Sequence, residues 1–244
     1  ETCKAWGNEN NVEFNYYKPE SDSDEARSAS VDQAAADGAN VIVLPGYMFA
    51  SAVVEQSEMY PDIKFVALDV SAGDICEKGV GEGYSYNPDE YDVTEYYNTD
   101  NVYCCTYQEE LSGYMAGYAA VKDGYEKLGG TFGGGGTNPA CNRFAYGFAQ
   151  GASAAAKEME KTVSMKLSFK YGDGFSASPE LQSQMTTWYS AGTQVIFSCG
   201  GSMFNSVKAA AELTSSGKII GVDVDQSGLS DRVITSAVKG LSVS

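Results

Sequence analysis

The chain has 244 residues, of which 43% are hydrophobic and 20% charged, a composition typical of a folded globular protein. Its 33 acidic and 16 basic residues give a formal net charge of -17, which disfavours binding to nucleic acid. Histidine is absent from the sequence, which excludes Ser-His-Asp and Cys-His nucleophile pairs and HExxH zinc sites. We expect no catalytic site, no metal site and no cofactor.

Short apolar runs bounded by Gly, Pro or Asp predict β-strands, and most of the stretches between them have helical composition. The predicted strands are 12–17, 41–44, 65–68, 102–106, 165–169, 195–198, 219–222 and 233–236. The predicted helices are 24–37, 49–59, 109–122, 143–160, 179–190 and 203–214. This alternation predicts an α/β fold in which parallel sheets are flanked by helices.

An internal repeat with a spacing of 154 positions predicts two similar lobes. At this spacing Gly38, Val41, Ile42, Gly46 and Asp69 recur as Gly192, Val195, Ile196, Gly200 and Asp223, and Tyr17 falls on Tyr171. A β-α-β-α-β unit is therefore predicted twice, at 12–70 and 166–224. We expect an N-terminal lobe at 1–125, a C-terminal lobe at 126–234, and a segment at 235–244 that returns towards the first lobe.

The second lobe begins with a Gly-rich, strand-like segment at 128–136 and the predicted helix at 143–160. Counterparts of both in the first lobe would precede residue 1, and residues 1–6 have the composition of a helix end. We therefore expect the sequence to be part of a longer chain, truncated at both ends.

Residues 71–101 are rich in tyrosine and in acidic residues, and they have no counterpart in the second lobe. We interpret this segment as an inserted surface loop. Long loops are tolerated at little entropic cost, so a solvated excursion without a role is one interpretation of it.

The cysteines show neither CxxC spacing nor pairs typical of zinc ligands. They are Cys3, Cys76, Cys104, Cys105, Cys141 and Cys199. Two interpretations stay open, because they could be free thiols that act as small apolar residues, or at least two of them could form a disulfide.

Two strand-to-helix turns mark where a ligand would bind. One contains Gly46 and Tyr47, and the other, at the equivalent place in the second lobe, contains Gly200 and Gly201. Ligands of open α/β sheets bind at the carboxyl ends of the strands, where helix N-termini present unpaired N–H groups. The run at 129–137 is also rich in glycine but matches no phosphate-loop motif, so a flexible turn is favoured over a nucleotide site.

Two carboxylates, Asp69 and Asp223, end the next strand of each lobe. If the lobes face each other, both carboxylates point into one cleft. They could accept hydrogen bonds from a neutral polar ligand, cap the turns that follow, or act as the general acid and base of a glycosidase.

Six sequence blocks form an ordered pattern over nearly the whole chain. They are GANVIVLPGYMF at 38–49, YPDIKFVALD at 60–69, YQEELSGYMAG at 107–117, NRFAYGF at 142–148, VIFSCGG at 195–201 and GVDVDQ at 221–226. This pattern resembles the basic membrane protein (Bmp/PnrA-like) family of ABC transporter substrate-binding lipoproteins, and only 71–101 departs from it. The resemblance implies the two-lobed type I periplasmic binding protein fold, with a parallel sheet flanked by helices in each lobe.

The resemblance also implies a function. The protein would bind a purine nucleoside in the cleft between the lobes and deliver it to an ABC permease in the membrane, without catalysis. It would be extracytoplasmic and lipid-anchored, with the signal and lipobox outside this sequence. We expect a monomer.

Site residues follow from the same resemblance. Asp69 is expected to contact the base, Asp223 and Lys239 to contact the ribose, and Phe175 to stack on the base. The opposite aromatic clamp of the family belongs to a segment that this sequence does not contain. Three further shared positions fit either packing or ligand contact, namely Arg143, Phe144 and Phe148.

A nucleoside is neutral, flat at one end and rich in hydroxyls at the other, so an aromatic face and carboxylate acceptors suit it. The net charge of -17 does not oppose a neutral ligand, whereas it opposes a nucleotide. A sugar or another small polar ligand is the alternative within the same class of protein. A hydrolase that uses Asp69 and Asp223 is the alternative from a different class.

Overall fold

Two parallel sheets, one in each of two compact units, organise the computed structural model, which describes residues 2–21, 23–169 and 174–240. One unit extends to Thr106, and the other begins at Tyr107. The helices are α1 (Thr2–Asn10), α2 (Asp24–Ala36), α3 (Ala50–Met59), α4 (Ala72–Val80), α5 (Glu109–Lys122), α6 (Pro139–Glu158), α7 (Pro179–Ser190) and α8 (Met203–Glu212). The strands are β1 (Val41–Pro45), β2 (Lys64–Leu68), β3 (Val102–Cys105), β4 (Lys127–Phe132), β5 (Ser164–Ser168), β6 (Val195–Cys199), β7 (Lys218–Asp223) and β8 (Val233–Val238). The predicted α/β class with parallel sheets is confirmed.

In the first unit, the described strands pair in the order β1-β2-β3, all parallel. The helix α2 begins after Ser23, whose hydroxyl accepts a hydrogen bond from the Ala26 amide at 3.2 Å, as a helix N-cap does. Val31 on α2 and Val53 on α3 are buried in one cluster with Phe65 of β2. Burial of these apolar faces is the main force that holds the helices to the sheet.

The segment 71–101, predicted as a loop, begins with the helix α4, so the prediction is wrong for residues 72–80. A capping box starts the helix, because the Ser71 hydroxyl accepts from the Asp74 amide and the Asp74 carboxylate accepts from the Ser71 amide. Ile75 and Cys76 are buried, which anchors the helix. The rest of the segment consists of turns and single 3-10 turns at Pro88–Glu90 and Val93–Glu95.

The predicted strand at 12–17 is wrong. Within the described residues this segment joins no sheet, and Val12, Phe14 and Tyr16 are all exposed. The Val12 amide instead donates to the Gly7 carbonyl oxygen at 2.9 Å, close to the end of α1. The alternation of residue types fits a strand, but a strand forms only where a neighbouring strand pairs with its N–H and C=O groups.

In the second unit, the described strands pair in the order β5-β4-β6-β7-β8, again all parallel. Every residue of the central strand β6 is buried, as a strand covered on both faces requires. Phe197 points into a cluster with residues of α5 and α6, whereas Ile196 belongs to a cluster with residues of α7 and α8. Helices therefore cover both faces of this sheet.

The division between the units differs from the predicted boundary at residue 125. The helix α5 belongs to the second unit because it packs backbone to backbone on α6. A Cβ atom added at Gly113 would lie 2.4 Å from the Phe144 carbonyl oxygen, and one at Gly147 would lie 2.0 Å from the Glu110 carbonyl oxygen. The predicted return segment at 235–244 likewise starts inside β8, and its residues 241–244 lie outside the described residues.

The backbones of the two units repeat the 154-position pattern from α2 to Asp69 and from α7 to Asp223. Asp69 and Asp223 both have φ of 65°, and Gly38 and Gly192 have φ of 90° and 93°. The match does not extend to 12–17, where the first unit lacks a strand, and Tyr171 lies outside the described residues.

The contact of α5 with α6 yields a stability prediction. Gly147→Ala should lower the free energy of unfolding by about 1–3 kcal/mol, because the new methyl group has to push the Glu110 carbonyl away. This cost opposes the gain of roughly 1 kcal/mol that alanine normally brings to a helix. Thermal melts followed by circular dichroism measure it.

The matched control is Ser153→Ala, at an exposed position of the same helix, which should be neutral or slightly stabilising. Equal melting temperatures for Gly147→Ala and Ser153→Ala would contradict the close approach of the two helices.

Candidate ligand-binding site

Three of the predicted site residues of the first unit lie at the carboxyl edge of its sheet. Gly46 follows β1 and has φ of 121°, and its amide donates to the Leu68 carbonyl oxygen at 2.8 Å. Tyr47 begins the 3-10 turn that leads into α3. Asp69 follows β2, and its amide donates to the Cys105 carbonyl oxygen at 2.8 Å. The predicted turn and carboxylate are therefore neighbours at one sheet edge.

In the second unit, the ring of Phe175 lies on two glycines at the ends of β4 and β6. A Cβ atom at Gly133 would lie 2.3 Å from this ring, and one at Gly200 would lie 2.9 Å from it. The Met203 amide donates to the Phe175 carbonyl oxygen at 3.1 Å, which ties the residue to the turn that contains Gly201. Phe175 is half-buried, so the sheet edge carries an aromatic ring that still has accessible surface.

The Gly-rich run at 129–137, predicted as a flexible turn, lies mostly in a strand and in a single 3-10 turn. Its first half lies in β4, and the single turn at Gly134–Gly136 leads into α6. Asn138 caps that helix, because its side-chain oxygen accepts a hydrogen bond from the Cys141 amide at 2.9 Å.

Five charged side chains converge near the ends of β7 and β8. The Arg143 Nε donates to Glu109 Oε2 at 2.6 Å. The Lys239 Nζ lies 3.3 Å from Glu109 Oε1 and 3.7 Å from Asp223 Oδ1. The Arg143 Nε also lies 4.0 Å from Glu110 Oε2. Three carboxylates and two cations thus form one network, in which the Glu109 side chain is fully buried and that of Asp223 is 44% exposed.

Backbone pairing and aromatic rings position Lys239 in this network. Its amide donates to the Asp223 carbonyl oxygen at 2.8 Å, where the chain leaves β8 beside the end of β7. Its ammonium group lies 5.6 Å from the ring centre of Tyr107 and 5.7 Å from that of Phe144, within the range of cation-π attraction. The ammonium group is therefore held between rings and carboxylates.

The environment shifts the pKa of the Asp223 carboxyl. Burial raises this pKa above its usual range, the Lys239 ammonium opposes the shift, and the Glu109 carboxylate adds to it. A carboxylate that ionises at some cost, next to an ammonium group, is a good acceptor for hydroxyl groups of a ligand.

The cysteines are free thiols, as one of the two interpretations expected. Cys141 and Cys199 are both buried, with their sulfur atoms 3.9 Å apart. Burial and the neighbouring Cys141 raise the pKa of the Cys199 thiol well above its ordinary value. Among the described residues, no group of three or more acidic, cysteine or histidine side chains could hold a metal ion.

The structure thus brings Phe175, Gly200, Gly201, Asp223 and Lys239 to one region of the second unit, and Gly46, Tyr47 and Asp69 to one sheet edge of the first. Sequence reasoning missed Glu109, although the residue lies inside one of the six matching blocks. Its side chain gives no signal in the sequence, because adjacent acidic residues at the start of a helix usually face solvent. Arg143, left open between packing and ligand contact, forms an ion pair with Glu109.

The fold is that of ABC transporter solute-binding proteins. A solute-binding protein of Aeropyrum pernix superposes with a TM-score of 0.66 at 20% identity, over 96% of this chain and 60% of that chain. Within the described residues, no helix combines the length and the apolar composition that a membrane span requires.

Sequence comparison identifies the family. The family model described as ABC transporter substrate-binding protein PnrA-like matches residues 1–243, and the chain therefore belongs to this family. Basic membrane protein A2 of Borrelia garinii subsp. bavariensis is 31% identical over 207 residues, which are 83% of this chain and 52% of that protein. The protein named ABC transporter nucleoside-binding protein BmpA of Lactococcus lactis is 25% identical over 238 residues, 93% of this chain and 58% of its own length. The chain spans only a little more than half the length of these relatives.

Loss of the buried carboxylate should destabilise the second unit. Glu109→Gln leaves Arg143 and the buried Lys239 without their shared counter-charge, so the free energy of unfolding should fall by roughly 3–5 kcal/mol. Denaturant titration measures the change. Glu160→Gln, at an exposed position just beyond α6, is the control and should have no effect. A Glu109→Gln variant as stable as the control would show that the network contributes nothing to folding.

In contrast to Glu109, replacement of Asp223 should not lower the stability of the fold at pH 7, and its effect on stability should depend on pH. A carboxyl whose pKa is raised by folding stabilises the fold while it is protonated, and this contribution is lost as the pH rises through the raised pKa. Asp223→Asn should therefore melt no lower than the parent at pH 7, and any advantage should shrink towards pH 3.

Asp225→Asn is the matched control of opposite sign. The Ser227 amide donates to the Asp225 carboxylate at 2.9 Å and lowers its pKa, so this variant should melt slightly lower than the parent at pH 7. Melts of both variants from pH 3 to pH 7 test the signs. A clear loss of stability in Asp223→Asn at pH 7 would contradict the assigned direction.

Proposed function

We propose that this chain carries the ligand-binding function of an ABC importer and that its ligand is a purine nucleoside. Membership of the substrate-binding family supports the first part, and the name of the Lactococcus lactis relative supports the second. The observation that carries the proposal is the placement of the Phe175 ring and the Asp223–Lys239 pair in the same unit, at the ends of its strands.

The charges of this network favour a neutral ligand. The negative charges of Glu109, Glu110 and Asp223 outnumber the positive charges of Arg143 and Lys239, so the site has no surplus cation for a phosphate group. A phosphate would also bring its charge into a protein of net charge -17. A nucleoside avoids both penalties, which makes it a better ligand than a nucleotide.

Each group of the site has a partner on a nucleoside. Asp223 accepts from ribose hydroxyls and Lys239 donates to them, while the ring of Phe175 stacks on the base. Asp69 of the first unit accepts from N–H groups of the base. The turns that contain Gly46 and Tyr47, and Gly200 and Gly201, lie at the ends of strands and are expected to contact the base.

The same proposal covers the membrane partner, the oligomeric state and the location of the protein. The protein passes its ligand to an ABC permease, acts as a monomer outside the cytoplasm, and is held at the membrane by a lipid anchor. It releases its ligand unchanged, as expected of the substrate-binding component of an importer.

Calorimetric titration of the purified protein tests the ligand class. Inosine and guanosine should bind, the corresponding monophosphates should bind at least about tenfold more weakly, and ribose alone should lose the stacking contribution of about 1–3 kcal/mol. Tight binding of a sugar without any binding of a nucleoside would favour the alternative ligand class. Release of free base on incubation with inosine would show a hydrolase instead.

The role of the Phe175 ring can be tested by a substitution at a neighbouring residue that is not itself proposed to contact the ligand. Gly133→Ala should weaken nucleoside binding by about tenfold or more, because the added methyl group displaces the ring from its place on β4. Gly174→Ala is the matched control, since a Cβ atom there meets nothing within 4 Å. If both variants bind like the parent, Phe175 is not the stacking residue.

A further inference from the structure

A cavity of about 520 Å³ lies in the first unit, within the segment 71–101 that departs from the family pattern. Tyr84 and Tyr86 line it, together with the carboxylates of Glu77 and Glu82. Gly81 and Gly83 complete the wall with φ of 68° and 106°, and a Cβ atom at either would meet nothing within 4 Å. The volume is within the range of small-molecule sites, about 300–1,000 Å³.

Tyrosine rings form one side of this cavity. The ring centres of Tyr84 and Tyr86 are 5.3 Å apart with an interplanar angle of 53°, and Tyr91 supports Tyr84 from 5.4 Å at an angle of 49°. Tyr84 and Tyr86 both border the cavity. The negative face of an aromatic ring attracts a cation, and a cation in that space can contact more than one ring.

The charge around the cavity is strongly negative. Residues 71–101 contain eight acidic residues and one basic residue, Lys78. Lys78 also lines the cavity, but its ammonium group lies 2.7 Å from Asp24 Oδ2, in an ion pair that Asp24 shares with Arg27. Burial chiefly raises the pKa of Tyr84 to about 12, and the negative charges of Cys76 and Glu77 add to the shift.

From this combination we propose that the cavity is a second binding site, selective for a small organic cation with a quaternary ammonium group. Such a cation is weakly hydrated, so it gains from the ring faces without needing hydrogen-bond acceptors inside the cavity. Glu77 and Glu82 are exposed and act through their field while they stay hydrated. A metal ion fits less well, because no set of ligands for one converges among the described residues. None of the residues that line the cavity belongs to the proposed nucleoside site.

Titration with tetramethylammonium chloride, at constant ionic strength and followed by the NMR signals of the tyrosine rings, tests the proposal. Saturable binding in the millimolar range is expected. Choline should bind likewise, whereas its neutral isostere 3,3-dimethylbutan-1-ol should bind about tenfold more weakly or worse. Absence of saturable tetramethylammonium binding, or equal binding of choline and the isostere, overturns the proposal.

Variants locate the site. Tyr84→Leu keeps an apolar side chain but removes the ring, and it should weaken binding by about tenfold. Glu82→Gln changes an exposed side chain that supports no core, so it should fold normally and still weaken binding by a few fold. Tyr146→Leu, at an exposed position of α6, is the control and should bind like the parent. Unchanged binding in both cavity variants overturns the assignment.

Discussion

The carboxylate of Glu109 is fully buried, and the two cations that neutralise it come from different elements of the chain. Arg143 lies near the start of α6, and Lys239 follows β8. An unpaired carboxylate at this depth would cost several kcal/mol, so the fold of the second unit is stable only when all three elements are in place. The pairing therefore fixes where the Lys239 ammonium lies relative to Asp223.

This network depends in turn on how closely α5 and α6 approach. Gly113 and Gly117 of α5 face carbonyl groups of α6, and Gly147 and Gly151 of α6 face carbonyl groups of α5. Any side chain at these four positions would separate the helices and move Glu109 away from Arg143. By allowing this close approach, the four glycines set the distance between the helices at which the buried ion pair can form.

Local signals predicted much of this architecture, and the failures have a common cause. Helices such as α7 and strands such as β6 follow from patterns within a few residues. The segment at 12–17 has the pattern of a strand but finds no partner among the described residues, and Glu109 has the pattern of a solvated helix start but is buried. Both outcomes are decided by residues far away in the chain, which a local pattern does not contain.

The candidate site was likewise predicted only in part from the sequence. The repeat identified Asp69 and Asp223 as equivalent, and the structure gives both the same left-handed backbone at the end of a strand. The resemblance also paired Lys239 with Asp223, whereas the buried Glu109 carboxylate that contacts Lys239 was not predicted, because its ion pairs join α5 to α6 and to the end of β8. The repeat duplicates the position of a carboxylate, whereas the charges next to Asp223 come from Lys239 and Glu109, both in the second unit.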